Sequence, residues 1–355
     1  MKRNFYIFTP GKLRRKDNTV SFRPFEQPAP EDDENLQNDI LLGCDNDDDE
    51  MGQRTYIPVN EIDSFFIMTT VTFNSKFIDF CAQNAIPVHF FNYFGFYDGS
   101  FYPRETLLSG SLLVEQVKHY NSLRKRMAIA VKFIEGAAYN ILKNLKYYNS
   151  RDRDLQSQID TIESLSAELK DCADIVHLMN LEGRIRKVYY SAFDLIVKAD
   201  IKLEGRNFNP PANELNALIS YANSLVYTSV LSEIYRTQLN PTVSYLHEPG
   251  VRRFSLALDI AEIFKPVFAD RIIFKMLNNE QIKPNDFERE LKGCYMKESG
   301  RKAFVQEFDA KLKTVVKHKD LGREVSYRRI IRLECYKLIK HIIGEKDYEP
   351  FKIWW

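Results

Sequence analysis

Residues 123–148, LRKRMAIAVKFIEGAAYNILKNLKYY, decide how the chain is to be read. Ile134, Ala137, Ala138 and Ile141 stand at i, i+3, i+4 and i+7, one stripe of a 3.6-residue period, and the spacing predicts a long amphipathic helix. The same period recurs at 107–123, 174–197, 213–235 and 325–343. From residue 104 to residue 355 the expectation is therefore a helical domain, without a repeat of fixed period.

Upstream the pattern changes to short β-branched and aromatic runs. FYIF at 5–8, TVSFR at 19–23, RTYIPV at 54–59 and SFFIMTTV at 64–71 read as strands, bounded by turn residues such as Pro10-Gly11 and Asp17-Asn18. NSKFIDFCAQNA at 74–85 has helical spacing, and PVHFFNY followed by GFYDGSFYP reads as a hairpin around Gly95. The expected class is α+β: a small N-terminal β-sheet domain with one helix at 1–103, then a larger all-α domain at 104–355.

The formal net charge of +1 conceals an asymmetry. Residues 31–50 hold ten acids and no base, so the remainder carries +11. The acidic tract belongs to a stretch at about 26–53, opened by Pro28 and Pro30, that reads as a solvated loop inserted in the β domain. A basic body favours nucleic acid, through release of its counterions. No apolar run approaches the roughly 18–20 residues of a membrane span, and MKRNFYIFTPG lacks the apolar stretch of a signal peptide. A cytoplasmic protein is expected. The five cysteines are widely spaced and form no zinc-finger pattern, so they read as reduced thiols.

Three places in the helical part set ionisable groups among apolar ones. Glu182 shares a helix face with Ile175, Leu178, Ile185 and Tyr189. A buried carboxylate needs a partner, and an ion pair to an arginine is the commoner solution, a metal the rarer one. His247 lies in the Gly/Pro-bounded LHEPG turn. LALDIAEIFKP at 256–266 then places Asp259 and Glu262 one turn apart with Lys265 beyond them, and Pro266 is expected to limit the helix. Two carboxylates and an imidazole suit a catalytic divalent ion that keeps positions open. Oxygen-rich ligation points to Mg²⁺ or Mn²⁺, although zinc accepts the same donors.

MNLEGRIRKVYYSAF at 179–193, NFNPPANELNALISYANSLVY at 207–227 and PTVSYLHEPGVRRFSLALDIAEIFKP at 241–266 resemble, in order and spacing, the glutamate, central-helix and histidine/acidic motifs of the CRISPR-associated protein one family. The likeness extends from YIFTPGKLRRKDNT to YKLIKHIIGEKDYEPFKIWW and is similar to the type I-B subset. The resemblance implies a β domain that forms a homodimer and a helical domain holding one metal site, with Glu182, His247 and Glu262 as ligands and Asp259 as a second candidate for the acidic one. Lys265 and Tyr227 match basic and aromatic positions near the family's active site. It also implies a partner, the small ferredoxin-like CRISPR-associated protein two.

The implied reaction is a phosphodiester transesterification, in which the 3′-hydroxyl of a captured double-stranded DNA fragment attacks the edge of a CRISPR repeat. Basic helices are the expected DNA contacts: Arg124 and Arg126, Arg252 and Arg253, and Arg328 and Arg332. Two other functions share these features. One is a metal-dependent nuclease or branched-DNA resolvase, with water as nucleophile; the other is a non-catalytic DNA-binding scaffold whose acids are ion-paired.

Overall fold

Alternation of buried and exposed side chains builds sheets wherever one face can be covered. The computed structural model describes every residue except 1, 26–52, 105–106, 200, 208–209, 251–253, 291–292, 320 and 355, and the side chain of 290. The chain divides into two units, Met1–Glu105 and Thr106–Trp355. The predicted acidic loop falls almost wholly outside the described residues.

In the first unit β1 (Arg3–Ile7), β5 (Ile62–Ile67), β7 (Val88–Phe91) and β8 (Tyr97–Phe101) form a sheet in the order β1-β5-β7-β8. Its first two pairings are parallel and the last antiparallel. The turn joining β7 to β8 carries Gly95 at φ 83°, a conformation that glycine adopts without steric cost. A second sheet has the order β4-β3-β2-β6, from β2 (Gly11–Lys16), β3 (Thr19–Pro24), β4 (Thr55–Pro58) and β6 (Val71–Phe73). Helix α1 (Ser75–Gln83), capped by Asn74, contributes Phe77, Phe80 and Cys81 to a core shared with Leu13, Val20, Ile62, Phe65 and Val88.

Two details differ from the expected strands. SFFIMTTV is not one strand: β5 ends at Ile67, and the chain changes sheet before β6 begins at Val71. Strand β2, GKLRRK, gives no β-propensity signal because four of its six residues are lysine or arginine: Gly11 and Leu13 are buried, Arg15 shares their face with its guanidinium 5.4 Å over the Phe80 ring, and Lys12, Arg14 and Lys16 line the other face.

The second unit is predominantly helical. Its framework comprises α2 (Gly110–Asn121), α3 (Leu123–Asn149), α4 (Gln156–Ala167), α5 (Ile175–Ser191), α6 (Glu214–Tyr235), α7 (Ser255–Phe264), α8 (Arg271–Asn278), α9 (Glu298–Lys313) and α10 (Tyr327–Ile342). Two small antiparallel pairs, at Phe287–Glu290 with Gly293–Met296 and at Val315–Lys317 with Glu324–Ser326, accompany the helices. Helices α6 and α7 are buried on almost every side, as expected of central helices, and α7 packs against α3 and α6. No helix among the described residues is long and apolar enough to cross a membrane.

Two buried asparagines on α3 anchor what surrounds them. Asn140 donates to the carbonyls of Ile263 (3.0 Å) and Phe351 (3.2 Å), and Asn144 donates to that of Pro266 (2.9 Å) while accepting from Arg271 Nε (2.7 Å). Pro266 does not stop the helical path. Lys265 keeps right-handed helical angles, and Pro266–Asp270 forms a π-helical turn in which the Asp270 amide reaches the Lys265 carbonyl at 3.1 Å before α8 begins. Proline lacks the N–H for an ordinary i→i−4 bond, and the wider turn accommodates the gap.

Candidate functional site

Asp259 organises the histidine turn. Completely buried on α7, it accepts from the backbone amides of Tyr245 (2.7 Å) and Leu246 (2.9 Å) through Oδ2, and from the amide (3.0 Å) and ring Nδ1 (2.8 Å) of His247 through Oδ1. A carboxylate that accepts four hydrogen bonds holds a loop in one shape. Because an ionised carboxylate only accepts, the ring must donate from Nδ1, which leaves Nε2 as the nitrogen with a lone pair for a ligand. Burial pulls the His247 pKa down, but the hydrogen bond and charge of Asp259, with Glu262 added, carry it above the usual histidine value.

A second clamp comes from Arg126. Its Nε donates to the Tyr245 carbonyl (2.8 Å), its Nη2 pairs with Glu248 (2.7 Å), and its guanidinium lies 4.5 Å over the Tyr120 ring. Tyr227 on α6 accepts from the Phe254 amide at 3.2 Å, at the start of α7.

Glu182 and Glu262 meet through Arg186. The guanidinium Nε contacts Glu182 Oε1 at 3.0 Å, one helical turn away on α5, and Nη2 bonds Glu262 Oε2. Lys265 takes the other Glu262 oxygen. Burial opposes ionisation of Glu262, yet Lys265 and Arg186 hold its pKa down to about 2. Farther along, Asp270 is buried with Oδ2 lacking a hydrogen-bond partner. Burial pushes its pKa up to about 7, against the pull of Arg186.

Glu182, Glu262, Lys265, Asp259 and His247 thus belong to one neighbourhood assembled from α5, the 241–250 turn and α7. A guanidinium joins the two glutamates, the ordinary partner expected for an inward Glu182. Among the described residues, no group of three or more His, Cys, Asp or Glu side chains is placed so as to hold a metal ion. In kind, two carboxylates and an imidazole presenting Nε2 do fit a divalent ion; reaching both carboxylates requires Arg186 to give way.

The expected DNA contacts fare differently from one another. Arg124 is exposed at the start of α3 and Arg328 half-buried on α10. Arg126 faces inward, as described, and Arg332 donates from Nε to Glu233 at 2.6 Å, a carboxylate only 1% exposed. Both serve ion pairs because their helices turn those positions toward the core. Arg252 and Arg253 lie outside the described residues. Arg186 and Asp270 were not singled out from the sequence; the i, i+4 spacing of Glu182 and Arg186 was the available signal for the first.

A β-sheet unit followed by a helical unit is an architecture seen in known proteins. Residues 5–310 match the family model described as CRISPR associated protein Cas1. The CRISPR-associated endonuclease Cas1 of Fusobacterium nucleatum is 49% identical over 355 residues, covering 100% of this chain and 98% of the relative. A solved Cas1 protein from Thermotoga maritima is 34% identical, with a TM-score of 0.81, covering 99% of this chain and 100% of that one. A casposase bound to an integration product shares the fold at a TM-score of 0.79 and 19% identity, covering 98% of this chain and 92% of that one. The chain belongs to the Cas1 family.

Proposed function

We propose that this chain is a metal-dependent DNA endonuclease and integrase of CRISPR adaptation, joining 3′-hydroxyl ends of captured double-stranded DNA to a CRISPR repeat. The observation that supports this reading is that Glu182 and Glu262 share Arg186 while the His247 charge acts on Glu262, three separate segments contributing to one neighbourhood in a member of the Cas1 family. Glu182, Glu262 and the Nε2 of His247 are the donors for one Mg²⁺ or Mn²⁺ ion. When bound, the ion supplies Lewis acidity toward the phosphate and the attacking hydroxyl.

The remaining tasks fall to the protein. Asp259 fixes the tautomer and direction of His247 and is a positioning residue, since its oxygens already accept four hydrogen bonds. Arg126 fixes the same turn from the other side, and Tyr227 steadies the entry to α7. Lys265, on a flexible stem at the edge of the cluster, exchanges its Glu262 partner for the scissile phosphate. In the reaction the incoming 3′ oxygen forms a new P–O bond as the repeat's own 3′ oxygen leaves with a proton. One phosphodiester replaces another, and no nucleotide cofactor is consumed. The β-sheet unit mediates a homodimer, and the small CRISPR-associated protein two is the partner in assembly.

One observation favours a second reading: Glu182 and Glu262 are ion-paired to Arg186, as in a scaffold that binds DNA without a metal. The test joins both. Purified protein, with its small partner, is incubated with a 3′-hydroxyl DNA fragment and a repeat-bearing plasmid, with Mn²⁺ or with chelator. Strand joining that needs Mn²⁺ and is abolished by Glu182→Gln supports the integrase. Cleavage of branched DNA without joining points to a nuclease that uses water, and DNA binding without either reaction points to the scaffold.

A further inference from the structure

We infer that Arg186 is a built-in counter-ion that competes with the divalent ion for Glu182 and Glu262, and that Asp270 is the acceptor to which its guanidinium moves when the ion binds. This rests on the metal reading of the site proposed above.

The charges lead to it. Glu182 and Glu262 carry two negative charges and Arg186 and Lys265 two positive ones, so the four groups are already neutral. Adding a divalent cation would leave an excess of two positive charges in a largely buried place, which low polarisability penalises heavily. At least one resident cation must leave the carboxylates. Lys265, at the cluster edge, can swing outward on its stem. Arg186 cannot: its side chain is only 11% exposed, and a guanidinium stripped of both carboxylates inside the protein needs another acceptor.

Asp270 has the properties of that acceptor. It is 2% exposed, and its Oδ2 has no hydrogen-bond partner. Buried carboxylate oxygens are ordinarily satisfied, so an orphaned one calls for a reason. Arg186 acts on Asp270 electrostatically without being hydrogen-bonded to it. The π-helical turn after Lys265 sets Asp270 in this place, on the same stretch of chain as the Glu262 that Arg186 would release. The guanidinium would thus exchange the two glutamates for a third carboxylate, and the ion would enter without creating an unpaired buried charge.

Calorimetric titration of Mn²⁺ into the full-length chain without DNA, together with thermal melts with and without Mn²⁺, tests the exchange. Arg186→Gln should bind Mn²⁺ about tenfold more tightly than the parent and show a lower melting temperature that Mn²⁺ raises by more than it raises the parent's. Arg186→Lys, which keeps a charge but cannot span both glutamates, should fall between the two and serves if the glutamine variant folds poorly. Asp270→Asn should weaken Mn²⁺ binding severalfold, and that weakening should vanish in the Arg186→Gln background, because nothing then needs an acceptor. Equal or weaker Mn²⁺ affinity in both Arg186 variants would overturn the competition. A loss at Asp270→Asn that persists without Arg186 would overturn the acceptor role. If neither parent nor variants bind Mn²⁺, the metal reading itself is overturned and the exchange with it.

Discussion

Replacing Asp259 by asparagine changes one oxygen to an NH₂ group with almost no change of shape, and the structure allows its effect to be worked out. The carboxylate accepts four hydrogen bonds, two at each oxygen. Asparagine keeps one oxygen, so in either amide orientation two donors lose their acceptor and face N–H groups instead. Hydrogen bonds to a charged acceptor contribute about 1.5–3 kcal/mol each, and relaxation of the turn returns part of the loss, giving a cost of about 4 kcal/mol. For a folding unit of this size that lowers the melting temperature by about 10 °C, at roughly 2–4 °C per kcal/mol. Scanning calorimetry measures it. Where the amide nitrogen takes the Oδ1 position, the His247 ring also loses its acceptor, and ¹⁵N shifts report that loss of the Nδ1–H tautomer. A variant that melts within about 2 °C of the parent would refute the claim that Asp259 carries the turn.

The remaining predictions concern basic side chains. Arg332→Ala should destabilise the protein by about 2 kcal/mol, because buried Glu233 is left to Arg236, 3.6 Å away, yet leave DNA affinity within about twofold. Arg124→Ala should leave stability unchanged and lower the salt dependence of DNA binding by about one counterion in anisotropy titrations; the opposite ranking would refute the assignment. Lys311 lies 4.4 Å over the Tyr327 ring, and burial, then Arg271 and Lys275, depress its pKa to about 8 from 10.5. A base whose folded pKa is lowered costs stability where it is charged, below about 8, and the cost fades as pH rises toward 10.5. Lys311→Met should therefore stabilise the chain by about 1 kcal/mol at pH 7, after allowance for partial exposure, and by clearly less at pH 9.5. Equal gains at both pH values in urea denaturation would count against it.

The sequence disclosed whatever depends on periodicity. The helices of the second unit and the face that carries Glu182 follow from which residues recur at 3.6 positions, and the turn at Gly95 follows from the glycine between two aromatic runs. What it hid depends on pairing between distant segments. Strand β2 buries only Gly11 and Leu13 among four lysines and arginines, which no propensity scale reads as a central strand. Arg126 and Arg332 stand in the sequence as DNA-contact candidates because arginine is usually exposed; only the packing of α3 and α10 shows that each meets an inward acceptor. Asn140 and Asn144 interrupt the apolar stripe of α3 for the same reason, each satisfying backbone groups left by α7 and by Pro266.

The pair Asp259 and Glu262 shows where the two kinds of information meet. Spacing alone puts both on one helical face and makes them equal candidates for a ligand. Four hydrogen bonds remove Asp259 from that role and give it the histidine turn, whereas both oxygens of Glu262 are held by cations. A carboxylate bound by backbone amides cannot be released without undoing the loop. One bound by the ends of two long side chains can exchange them, which is the property a reversible ligand needs.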